Sequence, residues 1–135
     1  MARKKSGADY AVAKLEGLWP DGPNQVKGVW RWTLLIRIPD FIGPGELSDA
    51  IQTLKDKGKD AIIAQVSILK LKEGRSIQIL HIGPYDAETL TIAKMERFAS
   101  AQGLTLRGVH HEIYLSDPRR VEPDKLRTIL RHPVA

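Results

Sequence analysis

Apolar and polar positions divide the chain into a few elements. Residues 29–38, Val-Trp-Arg-Trp-Thr-Leu-Leu-Ile-Arg-Ile, are rich in aromatic and β-branched residues and stop at Pro39, which predicts a strand. Trp30, Trp32, Leu34, Ile36 and Ile38 share one face of it, and Arg31, Thr33, Leu35 and Arg37 the other. A short strand is expected over 9–16, followed by a connection punctuated by Gly17, Pro20, Gly22, Pro23 and Gly28. After Gly43-Pro44-Gly45, the positions Leu47, Ala50, Ile51 and Leu54 recur at helical spacing, predicting a helix over 45–57 that Gly58 closes. Residues 66–82 read as a hairpin, with strands over 66–72 and 76–82 about Glu73-Gly74-Arg75. A second helix is expected over 86–102, with Asp86 as N-cap, Ile92, Met95, Phe98 and Ala99 as its buried stripe and Gly103 as its stop. Strands over 108–116 and 125–131 complete the pattern.

This order predicts an α+β fold, a single domain over 9–135 behind a disordered basic tail, 1–8. A faint internal echo pairs Glu16, Trp19 and Pro20 with Glu112, Tyr114 and Asp117, and Thr33–Pro39 with Thr128–Pro133. It suggests two strand–helix–strand–strand modules with antiparallel sheets about a pseudo-twofold. The second module, 61–135, is complete. The first, 9–60 with a linking helix, holds only its closing strand pair, so its opening strand and helix would have to precede Met1.

Composition narrows the function. The 135 residues are enough to bury a core, and the absence of cysteine excludes a disulfide scaffold, thiolate zinc sites and a cysteine nucleophile. No apolar run approaches the roughly 20 residues needed to cross a bilayer. Met1–Gly7 lack the apolar stretch of a secretory signal, so a cytoplasmic home and no membrane partner are expected. The net charge of +5 invites a nucleic-acid reading. Yet residues 1–5 supply +3, residues 117–135 supply +2, and the middle of the chain is neutral. Charge confined to the two ends argues against direct nucleic-acid binding.

Candidate chemistry concentrates on the strand at 108–116. Alternation puts His110, Glu112, Tyr114 and Ser116 on one face and His111, Ile113 and Leu115 on the other, where the aliphatic pair suits packing against a helix. The first face is either a solvated sheet surface or the wall of a cleft. In a cleft, Glu112 is a desolvated carboxylate beside a phenol, able to hold a cation or act as a general base. Trp19, Trp30 and Trp32 are either core residues or flat walls for planar or cationic ligands. Adjacent histidines on opposite faces, and no helical i, i+4 histidine pair, leave no metal site among His81, His110, His111 and His132. No phosphate-binding glycine loop and no Gly-x-Ser-x-Gly elbow occur, so no cofactor is implied and a serine hydrolase has no support.

Three ordered stretches carry a family resemblance: His81-Ile-Gly-Pro-Tyr-Asp86, His110-His-Glu-Ile-Tyr-Leu-Ser-Asp-Pro-Arg-Arg120 and Leu126-Arg-Thr-Ile-Leu-Arg-His-Pro-Val134. With Leu15–Trp19 and Trp30–Phe41 upstream, they make the chain resemble GyrI-like small-molecule-binding domain proteins over roughly residues 10–134. The resemblance implies a groove between two modules that takes bulky aromatic, hydrophobic and sometimes cationic compounds, for sequestration or sensing. Its carboxylate maps to Glu112 and its aromatic walls to Tyr114, Trp19 and Trp32. The motif residues His81, Tyr85 and His110 complete the ligand-binding set. Some stand-alone members look like hydrolases that open cyclopropane rings of DNA-alkylating natural products, which would make Glu112 and Tyr114 catalytic, Glu112 as general base. Members of this family typically carry a further strand and helix before the segment matching residue 9, and the linker Pro20–Pro23 departs from their pattern. The exposed sheet edge that this shortening implies predicts a homodimer.

Overall fold

The computed structural model describes residues 12–20, 32–58 and 65–135. The 1–8 tail, Trp30 and the starts of the strands expected at 9–16 and 29–38 lie outside the described residues. The chain divides into two compact units, one of Met1–Ala13 with Arg37–Leu71 and one of Lys14–Ile36 with Lys72–Ala135.

In the first unit, helix α1 spans Pro44–Asp56. Pro44 sits at its first turn, where a missing N–H costs nothing, and Glu46 Oε2 accepts the Gly43 N–H at 2.9 Å. Gly58, at φ +71°, ends it as expected. The predicted stripe of Leu47, Ala50, Ile51 and Leu54 is half-buried. The strand expected at 66–72 does not form: those residues carry no strand pairing and are exposed, with Val66 and Leu69 more than half accessible. The expected 66–82 hairpin is therefore absent; its second strand forms alone, as an edge strand of the five-stranded sheet.

In the second unit, five strands form one antiparallel sheet: β1 (Leu15–Trp19), β2 (Thr33–Ile36), β3 (Ser76–Ile82), β4 (His110–Tyr114) and β5 (Arg127–Pro133), in the order β2-β1-β4-β5-β3. The α+β antiparallel class is as predicted, and β3, helix α2 (Glu88–Ala101), β4 and β5 are the expected complete module. β1 and β2 are the expected strand pair, shorter and shifted toward the C-terminus. Asp86 does not cap the helix; it lies in a 3-10 turn, Tyr85–Ala87, that leads into it.

At the centre of the sheet β1 and β4 run antiparallel with Gly17 opposite Glu112. Rotation about that pair carries β1 onto β4 and Trp19 onto the place of Tyr114. The echo of Glu16 with Glu112 is not kept by the sheet, since Glu16 stands opposite Ile113 and faces the other side.

Helix α2 covers one face. Its Ile92, Met95 and Ala99 pack with Ile77, Leu130 and Val134, flanked by Ile79, Leu104 and Leu106. Phe98, expected in the stripe, is 54% exposed. Leu130 stands directly opposite Glu112 in the β4–β5 register, so the helix lies over the Glu112 face. This reverses the sequence expectation that Ile113 and Leu115 receive the helix. The hydrophobic partner of α2 comes from β3 and β5, while β4 contributes its polar alternate positions to the same covered side.

Candidate functional site

Alternation along β4 leaves His110, Glu112 and Tyr114 on the helix-covered face, with Gly17 and Trp19 of β1 beside them. His110 and Glu112 are buried, at 2% and 4% exposure. His110 Nε2 donates to Glu112 Oε2 at 2.8 Å. Trp19 Nε1 donates to Tyr114 Oη at 3.0 Å. Trp32 of the flanking segment meets the Trp19 ring edge-on at 5.0 Å between centroids, and Tyr85 meets Tyr114 edge-on at 6.0 Å. Gly17 makes this possible. A Cβ there would lie 2.9 Å from Tyr114 Oη and 3.1 Å from Trp19 Nε1, so any larger residue displaces the phenol.

The residue that sequence reasoning missed as a site group is Glu88. It opens α2, is 5% exposed and shares a hydrogen bond with Glu112. Burial, then that bond, then the Glu112 charge push its pKa up to about 9, so at neutral pH it holds its proton. Glu112 goes the other way. Burial opposes its charge, but hydrogen bonds from His110, Glu88 and Tyr114 outweigh burial and hold its pKa below the ordinary carboxylate value. One proton is thus divided between two carboxyls, in the favoured arrangement Glu88–H···Glu112⁻. Burial and the Glu112 charge also raise the Tyr114 pKa, and burial with the Glu88 charge raises that of Tyr85. Both phenols keep their protons.

Among the described residues, two buried side-chain polar atoms find no protein partner, Glu88 Oε2 and Thr128 Oγ1. Thr128 stands opposite Tyr114 in the register, on the same face. Orphaned buried acceptors of this kind mark places where a ligand or water completes the bonding. A sequence signal for Glu88 existed: it lies four residues before Ile92, in phase with the stripe Ile92, Met95, Ala99. A carboxylate at a core position of a helix is the buried polar group that calls for a function.

Of the predicted set, the structure brings together Trp19, Trp32, Tyr85, His110, Glu112 and Tyr114. His81 is placed otherwise. Its Nε2 lies 2.9 Å from the Pro84 carbonyl and its Nδ1 2.7 Å from Thr91 Oγ1, so both ring nitrogens are used to tie β3 to the start of α2. Ser116 Oγ accepts the Arg127 N–H at 3.1 Å and serves the backbone. On the opposite face of the sheet, His111 lies between two carboxylates, Glu16 at 2.6 Å and Glu73 at 3.0 Å. No group of three or more metal-ligating side chains occurs among the described residues, and no helix among them is long and apolar enough to cross a membrane.

Known structures share this fold. The chain aligns with a hydrolase from Listeria innocua at 36% identity and a TM-score of 0.86, over 95% of this chain and 65% of that one. A second hydrolase structure from that organism gives 35% identity and 0.87, over 95% and 66%. An uncharacterized conserved protein from the same organism gives 37% and 0.89, over 98% and 69%. The chain therefore spans slightly less than two thirds of the length of the two hydrolases. No curated protein matches it. Residues 44–135 match the GyrI-like small molecule binding domain, and with this agreement of sequence and fold the chain belongs to the GyrI-like family.

Proposed function

We propose that the chain binds a hydrophobic, aromatic small molecule against Trp19, Trp32 and Tyr114 and hydrolyses an electrophilic carbon on it, such as that of a cyclopropane ring. The observation that carries this reading is the division of one proton between Glu88 and Glu112. Two carboxyls whose surroundings push their pKa values apart supply a base and an acid at the same pH. Glu112 takes a proton from water as the water oxygen bonds to the electrophilic carbon. The bond to the leaving atom breaks, its electron pair stays with that atom, and the Glu88 proton neutralises it. Glu112 then carries the proton and Glu88 the charge. The hydrogen bond between them returns the proton to Glu88 and resets the pair. His110 orients Glu112 through its 2.8 Å bond, and Tyr114, fixed by Trp19, donates to the same carboxylate. The hydrolase structures at 36% and 35% identity support this direction.

The test is incubation with a cyclopropane-bearing alkylator and product analysis by mass spectrometry. A product heavier by one water is expected, and Glu112→Gln should lower its rate by about 10²–10⁴. Unchanged substrate in the presence of measurable binding rejects hydrolysis.

A second reading, sequestration or sensing without turnover, is favoured by the edge-to-face tryptophan corner and by the single buried negative charge. Such a site suits a planar cation through the ring faces and Glu112 together. Binding of lipophilic aromatic cations that Glu112→Gln weakens, with no product formed, selects it. A cytoplasmic homodimer belongs to the proposal too. Leu34 and Ile36 on edge strand β2 and Trp32 just before it are each about half exposed, at 54%, 52% and 49%, the kind of apolar edge that a second copy covers. Light scattering should give twice 15.1 kDa at micromolar concentration; a monomer rejects the dimer.

A further inference from the structure

Behind the carboxyl pair, between the sheet and α2, lies a pocket of about 190 Å³ that the proposed chemistry does not use. Ile92, Met95, Leu106 and Trp19 wall it, with His110 and His132 on its polar side and Pro20, Glu96 and Gly108 completing the lining. Two of these residues also belong to the reacting centre: Trp19 donates to Tyr114 and His110 to Glu112. The pocket therefore adjoins the centre across a wall one side chain thick. Its volume exceeds the roughly 150 Å³ of an apolar protein cavity that accepts benzene, which leaves room for one ring with a small substituent. The apolar walls favour an uncharged ring. The paired imidazoles, 5.9 Å apart between centroids, offer that substituent a hydrogen bond. Burial and the neighbouring His110 lower the His132 pKa, which keeps the ring a neutral donor or acceptor.

We propose that this pocket is a recognition subsite for a single aromatic ring bearing a small neutral polar group, such as a phenol, carried on an arm of the molecule whose reactive end lies at Glu112. The subsite rests on the functional reading above for its place in the ligand, but not for its own occupancy. Phenol by itself should enter it.

The experiment is a phenol titration of the full chain labelled at methionine and isoleucine methyls, followed by NMR. Saturable shifts of the Met95 and Ile92 methyls are expected. Leu106→Phe fills the pocket and should weaken binding about tenfold or more, since the ring loses both space and contacts. If Leu106→Phe does not fold, Ile92→Phe on the helix wall reads the same loss through Met95. Phenol that moves neither methyl, or that binds a folded filling variant as tightly as the parent chain, overturns the subsite. The two readings fail separately: phenol binding without hydrolysis of any alkylator refutes the enzyme alone, and hydrolysis without phenol binding refutes the subsite alone.

Discussion

Replacing Glu88 by glutamine tests the proton division directly, because the charge logic and the stability logic point in opposite directions. In the unfolded chain Glu88 ionises near 4.5, and in the folded chain near 9. The native state thus holds a proton that the unfolded state releases. Stability from this group is full below pH 4.5 and is lost progressively as pH rises toward 9. At pH 7 the folded chain sits about 2.5 units above the unfolded pKa, and at about 1.4 kcal/mol per unit the cost of keeping the proton is about 3 kcal/mol. Glutamine has the same shape, needs no proton and can still donate to Glu112, though more weakly, so about 1 kcal/mol of that is returned. Glu88→Gln should therefore stabilise the protein by about 2 kcal/mol at pH 7, a rise in Tm of several degrees. It should also flatten the decline of stability between pH 5 and 9, while abolishing proton delivery to the leaving group. Chemical denaturation of both chains at pH 5, 7 and 8.5 measures this. A variant that is less stable than the parent at every pH, with the parent's slope preserved, means that Glu88 is ionised in the native state and refutes the division of roles.

Other expectations follow from the same geometry. Gly17→Ala should force Tyr114 off its bond with Trp19 and cost about 1–3 kcal/mol, read by denaturation and by a change in tryptophan fluorescence; unchanged spectra and stability would show that the phenol has room. If the chain is a hydrolase, its rate should be flat where Glu112 is ionised and Glu88 protonated, and fall as pH passes about 9; a pH–rate profile rising through pH 9 contradicts the acid role. Leu130→Ala, at a fully buried position beneath α2, should lose about 2–5 kcal/mol in urea denaturation.

Elements with their own local chemistry were legible in the sequence. Both helices begin and end within two residues of their expected limits, because Pro44, Gly58 and Gly103 act where they stand. The strand at His110–Tyr114 was found with the right residues sharing a face. Which face the helix would cover was not legible, because it depends on the β4–β5 register that sets Leu130 against Glu112. The same long-range pairing hid Glu88, whose meaning comes from a partner 24 positions away. The segment at 66–72 misled for the opposite reason. Its Val66, Ser67, Ile68 start alternates, but Leu69 breaks the phase, and a strand exists only where a neighbour takes its hydrogen bonds; among the described residues, β3 pairs with β5 on one edge and leaves the other edge unpaired.

The seam between β1 and β4 has one further consequence. The backbone there is close to twofold, yet Gly17 occupies the place that Glu112 holds on the partner strand, and the Tyr114 hydroxyl fills the space a side chain would need. The scaffold repeats; the acid does not. For a ligand bound as proposed above, a molecule lying across the seam would meet an anion on its β4 side and none on its β1 side, so its two sides would not be equivalent. A single chain should accordingly take up one molecule, in one orientation, and a compound whose two ends are identical should gain nothing from its second end.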